Sequence, residues 1–155
     1  MDTETRSSTE RQQNESVPEY LTRLKEMGFL FHGSNNAQIE ELEPRYTLDK
    51  HSEENTDTAV FATSNVSWTI IHGVYGGHKG WSTRVKNGEV AAKIPAKDKD
   101  LVENTIGTVY VLAKDTFEKS GNGEQYKSYK AVKPIQKVTV TLNDYYDLGG
   151  KIEWF

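Results

Sequence analysis

Apolar residues recur along the chain at two spacings, helical near the start and alternating in the second half. From residue 17 to 28 the spacing is helical, with Pro18 suited to a first turn and Gly28 to a helix end. Later runs that are short and apolar or alternating favour strands at 88–95, 107–114, 124–132, 135–142 and 151–155. The pattern predicts an α+β fold whose second half is mostly strands.

Two strands between these regions end in small polar residues. The apolar run at 29–31 leads directly into His-Gly-Ser, and the run at 59–63 leads into a hydroxyl-rich turn and a helical stretch over 66–77. Residues 37–44 predict about one helical turn, and the polar stretch of 45–58 predicts a long loop. Loops of this length are functional or disordered, and the pattern leaves both open.

Length and composition predict one folded domain with a tail. The chain has 155 residues, of which 35% are hydrophobic and 27% charged, which is ordinary for a globular protein. Residues 1–16 contain almost nothing apolar, so burial there cannot offset the entropy of ordering. We therefore expect a disordered polar tail over 1–16 and a single domain over 17–155.

Charge and cysteine content exclude several classes of chemistry. The chain has no cysteine, so disulfides, thiol nucleophiles and cysteine zinc sites are excluded. The formal charge of −4 argues against a general phosphate-neutralising surface, although the lysines of 127–137 leave a local basic patch open. No run is long enough for a membrane span, and the N-terminus lacks the layout of a secretory signal. We expect a cytoplasmic protein that does not bind membranes.

The common sequence motifs for metals, phosphates and hydrolysis are missing. His51, His72 and His78 do not have a zinc spacing, and His72 is interpreted as an ordinary boundary histidine. No dinucleotide, P-loop or nucleophile-elbow pattern occurs. We expect no metal site, and any chemistry has to come from histidines, carboxylates, hydroxyls or amides.

The sequence His32-Gly33-Ser34 at a strand end has two interpretations. It is common turn material, and alone it favours a structural role. Glycine also lets a ligand approach the main chain, where N–H and C=O bind a planar amide, while the histidine and the serine add hydrogen bonds from either side.

Three short motifs in this order are similar to the ADP-ribosyltransferase superfamily, particularly its poly(ADP-ribose) polymerase branch. They are HGS at 32–34, VFATSN at 60–65 and EQYKSYKAVKPIQKV at 124–138. That branch has a His-Gly-Ser strand, a Tyr-Phe-Ala strand followed by a helix, and a late Glu-Tyr-x-x-Tyr strand. The resemblance covers about residues 29–140. It implies a split, mixed or antiparallel sheet with a few short helices, which binds NAD as a substrate in a cleft.

The first motif carries over residue by residue. The resemblance implies that His32 bonds a ribose of NAD, that the backbone of Gly33 holds the nicotinamide amide, and that Ser34 supports the same pocket. Arg45 is a candidate for the diphosphate because a guanidinium bonds phosphate oxygens in pairs, although a surface arginine is the plainer interpretation.

The second motif departs from the family at one position. Phe61 and Ala62 match the family's Phe-Ala, so Val60 lies where a stacking tyrosine is common. An offset of one residue would put Phe61 there instead. The candidates for a second aromatic wall in the next helix are Trp68, Ile71 and Tyr75, of which Tyr75 is preferred.

The third motif puts Gln125 at the position of the family's catalytic glutamate. A carboxylate there stabilises the oxocarbenium-like ribose left by departing nicotinamide, whereas an amide keeps the hydrogen bond and loses the charge. Glu124 precedes it, and strand alternation places the two side chains on opposite faces. Three possibilities stay open: a transferase without this carboxylate, an inactive binding fold, or a register in which Glu124 acts.

The resemblance implies an NAD-dependent glycosyltransferase that moves ADP-ribose to a macromolecule, either protein or nucleic acid, or to water. The alternative is a catalytically inactive domain that binds NAD, ADP-ribose or a peptide. An RNA 2′-phosphate-processing relative is disfavoured because Arg45 and Arg84 are the only arginines after residue 23.

Overall fold

The computed structural model describes residues 8–47, 57–120 and 123–155. The helices are α1 (Val17–Glu26), α2 (Val66–Tyr75), α3 (Lys99–Asn104) and α4 (Leu142–Asp147), with a 3₁₀ turn at Ala96–Asp98. The strands are β1 (Leu30–Ser34), β2 (Arg45–Thr47), β3 (Asp57–Thr63), β4 (Ser82–Lys86), β5 (Glu89–Ile94), β6 (Gly107–Leu112), β7 (Phe117–Lys119), β8 (Gln125–Ser128), β9 (Gln136–Val140) and β10 (Lys151–Trp154).

The strands form two sheets in the described ranges. The larger has seven strands in the order β7-β8-β3-β1-β6-β9, with β2 paired to β3, and its pairs are antiparallel. The smaller has the order β10-β5-β4, in which β10 runs parallel to β5. The fold is therefore α+β with antiparallel and mixed sheets and short helices, which confirms the predicted class at this level.

Helix α1 begins and ends where the sequence pattern predicts. Ser16 and Glu19 form a reciprocal capping box, which bonds two of the free N–H groups at the helix start. Tyr20, Leu21 and Leu24 lie on one face and are buried in the main core. The predicted helix is confirmed.

Helix α2 also forms where predicted, and it is buried on nearly every side. The Asn65 side chain caps it by accepting the Trp68 N–H at 2.9 Å. Ile70, Ile71 and Val74 pack into the main core, which lies between the helix and the sheets.

Glycines let the backbone of α2 lie directly against two strands. A Cβ on Gly33 of β1 would lie 2.1 Å from the Thr69 carbonyl oxygen and 2.8 Å from the Gly73 nitrogen. A Cβ on Gly107 of β6 would lie 2.4 Å from the Gly73 carbonyl carbon. Strand and helix therefore approach more closely than any side chain permits, and β1 is held at a fixed distance from α2.

Part of the predicted N-terminal tail is folded. Residues 8–16 pack beside α1, where the Arg23 guanidinium bonds the Glu15 carboxylate at 2.7 Å and the Glu10 carbonyl at 2.9 Å. The Tyr20 hydroxyl donates to the Thr9 carbonyl. The expected disorder is wrong for 8–16, because polar contacts from α1 hold a segment that has few apolar residues. Residues 1–7 lie outside the described part.

Several other elements differ from the pattern. Residues 37–44 form a turn and then an isolated bridge between Leu42 and Val132 rather than a helical turn. Strand β4 was not predicted because its residues are mostly exposed and polar; the Asn87-Gly88 turn joins it to β5. Helix α4 was also missed. The predicted loop over 45–58 is shortened by β2 and β3, and residues 48–56 of it lie outside the described part.

No helix in the described part of the chain is long and apolar enough to cross a membrane.

Candidate functional site

A cleft of about 660 Å³ opens where β1 and β3 diverge. In the described ranges these neighbouring strands share one registered pair, Phe31 with Thr63, whereas β1 and β6 are registered over five pairs. The cleft is lined from the end of β1, from β3, from α2, from the start of β8 and from the segment of residues 35–45. A split in the main sheet, rather than a loop alone, therefore creates the site.

His32 lies at this split and bridges it. Its Nδ1 is 2.8 Å from the carbonyl oxygen of Phe61, and because a carbonyl only accepts, Nδ1 carries the proton. Burial lowers the pKa of His32, and the charge of Arg45 lowers it further. The ring is neutral near pH 7, so Nε2 is left as an acceptor for a hydroxyl or an amide N–H.

Trp68 and His72 form an aromatic wall on the face of α2 towards the cleft. They are four residues apart, and their ring centroids lie 3.8 Å from each other. The Trp68 Nε1–H donates to Thr83 Oγ1 at 3.2 Å. The ring centroid of Trp81 lies 4.8 Å from that of His72. His72 thus packs against both tryptophan rings, and Trp68 and His72 line the cleft together.

Two buried polar atoms of α2 have no hydrogen-bond partner among the described residues. They are Nε2 of His72, which belongs to the aromatic wall, and Oγ1 of Thr69. A buried polar atom without a partner is costly and calls for an explanation such as a bound molecule. His72 lines the cleft, but its Nε2 is itself buried, with almost no surface exposed there.

Folding stability should depend on pH through these histidines. Burial lowers the pKa of His72 from 6.5 to about 4, so between these values the unfolded chain binds more protons than the folded one. Stability therefore falls as the pH falls from 6.5 towards 4. We expect urea unfolding of His72→Phe to show a shallower dependence, by up to about 1.4 kcal/mol per pH unit. An unchanged slope would contradict the buried, neutral state of His72.

Gln125 lines the cleft, whereas Glu124 lines a smaller cavity beside it. Gln125 pairs with Thr63 and lines the cleft. Glu124 points away, where its Oε1 accepts from Asn65 Nδ2 at 3.1 Å and its Oε2 lies 3.5 Å from Lys25 Nζ. It lines a smaller cavity of about 320 Å³, which Gln125 and Trp68 share with the cleft. The Glu124 carboxylate therefore does not take the place of the Gln125 side chain in the cleft.

Comparison with known proteins finds no matching family model, no matching curated protein and no matching solved structure. Among the residues that the structure describes, no group of three or more histidine and carboxylate side chains could hold a metal ion.

Most of the residues predicted for the site come together here. The cleft is lined by His32, Ser34, Arg45, Phe61 and Gln125. Ser34 Oγ also accepts the Asn36 N–H at 3.0 Å, so this hydroxyl turns the chain into the next segment.

Four other predicted residues lie elsewhere. Gly33 packs against α2, Ala62 is buried in a second core with Leu30, and Glu124 faces the smaller cavity. Tyr75 is fully buried, donates to Asp98 and does not line the cleft. The preferred aromatic wall is therefore corrected to Trp68 and His72, because Tyr75, two turns after Trp68, is covered by the rings of His78 and Trp81.

The sequence offered a signal for the missed wall. Trp68 was one of the three candidates, and His72 lies at i+4 from it, on the same helix face. The residues of 35–43 were missed because the segment was predicted to be a helical turn.

Proposed function

We propose that this protein binds NAD in the cleft and transfers ADP-ribose to a macromolecular acceptor or to water. The observation that carries the proposal is His32, a neutral histidine with a fixed tautomer that faces a cleft in a split sheet. Side chains that can bind nicotinamide, ribose and diphosphate lie in the same cleft.

The planar end of NAD fits the inner part of the cleft. Nicotinamide is a flat ring with a carboxamide, and the aromatic wall of Trp68 and His72 offers a flat surface. Phe61 and Val60 line the cleft from β3. This arrangement supports binding of nicotinamide in the part of the cleft that Trp68 and His72 line.

The ribose and the diphosphate fit the next part of the cleft. His32 Nε2 accepts from a ribose hydroxyl, which is the kind of partner its tautomer requires. Arg45, on β2, provides a guanidinium that bonds phosphate oxygens in pairs.

The reaction breaks the bond between the nicotinamide nitrogen and the ribose carbon. The bonding electrons leave with nicotinamide, the ribose develops positive charge, and an acceptor hydroxyl, amine or water forms the new bond and loses its proton. Gln125 can position a ribose hydroxyl, but its neutral amide stabilises the developing charge less than a carboxylate would. The wild type is therefore expected to react slowly.

The test is nicotinamide release from NAD by the wild type and by Gln125→Glu. We expect the variant to release nicotinamide at least about tenfold faster, because the new carboxylate faces the developing charge. Gln136→Glu is the matched control, since it makes the same change on β9, away from the cleft, and should leave the rate unchanged. Equal rates for the wild type and Gln125→Glu would contradict the role of position 125.

A second function is favoured by the position of Glu124. Because Asn65 and Lys25 hold this carboxylate away from the cleft, the domain can bind NAD or ADP-ribose without reacting. Calorimetry would then show binding by the wild type without nicotinamide release, and release would begin only with Gln125→Glu. Absence of binding to both NAD and ADP-ribose would contradict both functions.

A further inference from the structure

The smaller sheet ends at strand β4, whose outer edge has no strand beside it in the described ranges. Asn87 and Gly88 join β4 to β5, and both have positive φ, of 54° and 80°, as a type I′ hairpin turn requires. In a hairpin with a two-residue turn the flanking residues, Lys86 and Glu89, form a hydrogen-bonded pair, and such pairs alternate along the strands. The N–H and C=O groups of residues 83 and 85 therefore point outwards.

These outward groups are free in the part of the chain that the structure describes. Neither Thr83 nor Val85 has a backbone hydrogen bond to a residue outside the hairpin. The hairpin tip is fixed in place, because Asn65 Nδ2 donates to the Gly88 carbonyl at 3.2 Å. A fixed edge with unpaired main-chain groups is a template to which an extended peptide can add as a further strand.

The outer face of the smaller sheet is basic around β4. Arg84 and Lys86 are two residues apart, so their side chains share this face, and both are exposed. Together with Lys151 and Glu89 they line a cavity of about 360 Å³. None of these four side chains forms an ion pair within the described residues. Three cations and one carboxylate leave a local excess of positive charge on a chain whose formal charge is −4.

The opposite face of β4 borders the cleft. Thr83 Oγ1 accepts the Trp68 Nε1–H at 3.2 Å, and Val85 lines the smaller cavity of about 320 Å³. Trp68 and Gln125 line both that cavity and the cleft. Glu124 also lines the smaller cavity, so this side of β4 has a carboxylate where the outer face has cations.

We propose that an extended acidic segment of a partner protein adds to β4 as a further strand, with its acidic side chains beside Arg84 and Lys86. The main chain of the segment bonds that of Thr83 and Val85. Its alternate side chains lie on the Val85 face, which borders the cavity that Gln125 lines. The segment thereby brings a protein acceptor to the cleft, a step that rests on the proposed function.

Charge and main-chain chemistry together favour this occupant over two others. A second copy of β4 would place the same cations beside Arg84 and Lys86, and like charges on neighbouring strands are destabilising. A nucleic acid would neutralise the cations, but it has no peptide groups to pair with the free edge. An acidic peptide supplies both the negative charge and the main-chain partners.

The experiment measures binding of a short labelled peptide of alternating Glu and Ser to the full chain, by fluorescence anisotropy at low salt and without NAD. Arg84→Gln with Lys86→Gln should weaken binding at least about tenfold, because exposed charges attract most strongly at low ionic strength. Lys93→Gln is the matched control. It removes a cation from the same face of β5 that already pairs with Glu153 at 3.5 Å, and it should keep the affinity within about twofold.

Val85→Pro tests the main-chain pairing. The Val85 N–H points outwards, so proline removes a donor from the free edge and none from the ladder with β5. We expect peptide binding to weaken about tenfold. Val85→Thr is the matched control, since it keeps the N–H group and the branched shape, and it should bind as the wild type does. Thermal unfolding of both variants checks the fold.

A second peptide makes the test independent of whether Val85→Pro folds. It has the same composition with its Glu residues in one block, so its carboxylates lie on both faces of a strand. It should bind the wild type at least about fivefold more weakly than the alternating peptide. Equal affinity for the two peptides would overturn strand addition, as would equal affinity of a folded Val85→Pro and the wild type.

Two further outcomes would assign this surface to another occupant. Tighter binding of a single-stranded oligonucleotide of the same charge, unchanged in Val85→Pro, would mean that the basic face binds nucleic acid and would overturn the proposal. Dimers in sedimentation that Val85→Pro abolishes would mean that a second copy covers the edge, with the same consequence. Peptide binding is measured without NAD, so its failure leaves the proposed function in place, and absence of nicotinamide release leaves the peptide site in place.

Discussion

Replacing Gly33 by alanine should destabilise the protein by about 4 kcal/mol, close to the upper end of single substitutions. The new Cβ would lie 2.1 Å from the Thr69 carbonyl oxygen and 2.8 Å from the Gly73 nitrogen. Both are backbone atoms of α2, so neither can rotate away, and β1 would have to separate from the helix. Thermal unfolding should show a midpoint lowered by about 10 °C or more.

Gly123→Ala is the matched control for this prediction. Nothing lies within 4 Å of a Cβ at that position, and its backbone is not in the left-handed region. It should change the free energy of unfolding by less than about 0.5 kcal/mol. If Gly33→Ala unfolds at the same temperature as Gly123→Ala, the close packing of β1 on α2 is wrong.

Replacing His32 by asparagine should remove function while sparing the fold. The asparagine amide can occupy the place of Nδ1 and donate to the Phe61 carbonyl, but it has no acceptor at the place of Nε2. We expect nicotinamide release to fall about 100-fold and the affinity for NAD about tenfold. Urea unfolding should show a change in stability within about 1 kcal/mol.

His32→Ala separates the two roles of this residue. It removes the donor as well, so the Phe61 carbonyl loses its side-chain partner and stability should fall by about 1–3 kcal/mol. Wild-type binding and release in His32→Asn, together with a destabilised His32→Ala, would mean that His32 only ties β1 to β3.

The elements that the sequence predicted correctly are those whose signals are local. Helix α1 has a capping residue, a first-turn proline and apolar residues on one face, and each of these signals depends on neighbouring residues. Strand β6 is buried at every position, and its apolar run predicts it equally well. Both elements can be predicted without knowing the tertiary structure.

The elements that were missed depend on partners far along the chain. Residues 8–16 are held by Arg23, and strand β4 is mostly polar and pairs with β5 through a turn. The extended shape of residue 42 depends on Val132, 90 residues later, and the local composition of 37–44 favoured a helical turn instead.

The candidate site follows the same division. The His32 motif, Phe61 and Gln125 were found because short motifs identified them, and the structure places them in one cleft. The position of His72 in the lining of the cleft was missed because three-dimensional packing decides which side of α2 faces the split. Tyr75 was preferred for its ring, yet the rings of His78 and Trp81 cover it and it is fully buried.

The single registered pair between β1 and β3 has a consequence for solubility. Strand edges carry rows of backbone donors and acceptors, and on an outer surface such rows invite pairing with other chains and aggregation. Beyond Phe31, the side of β1 towards β3 has no registered partner in the described ranges, but it lies inside the sheet between covalently connected strands. The domain thus keeps main-chain groups available to a small ligand in a place that another protein's strand cannot easily enter.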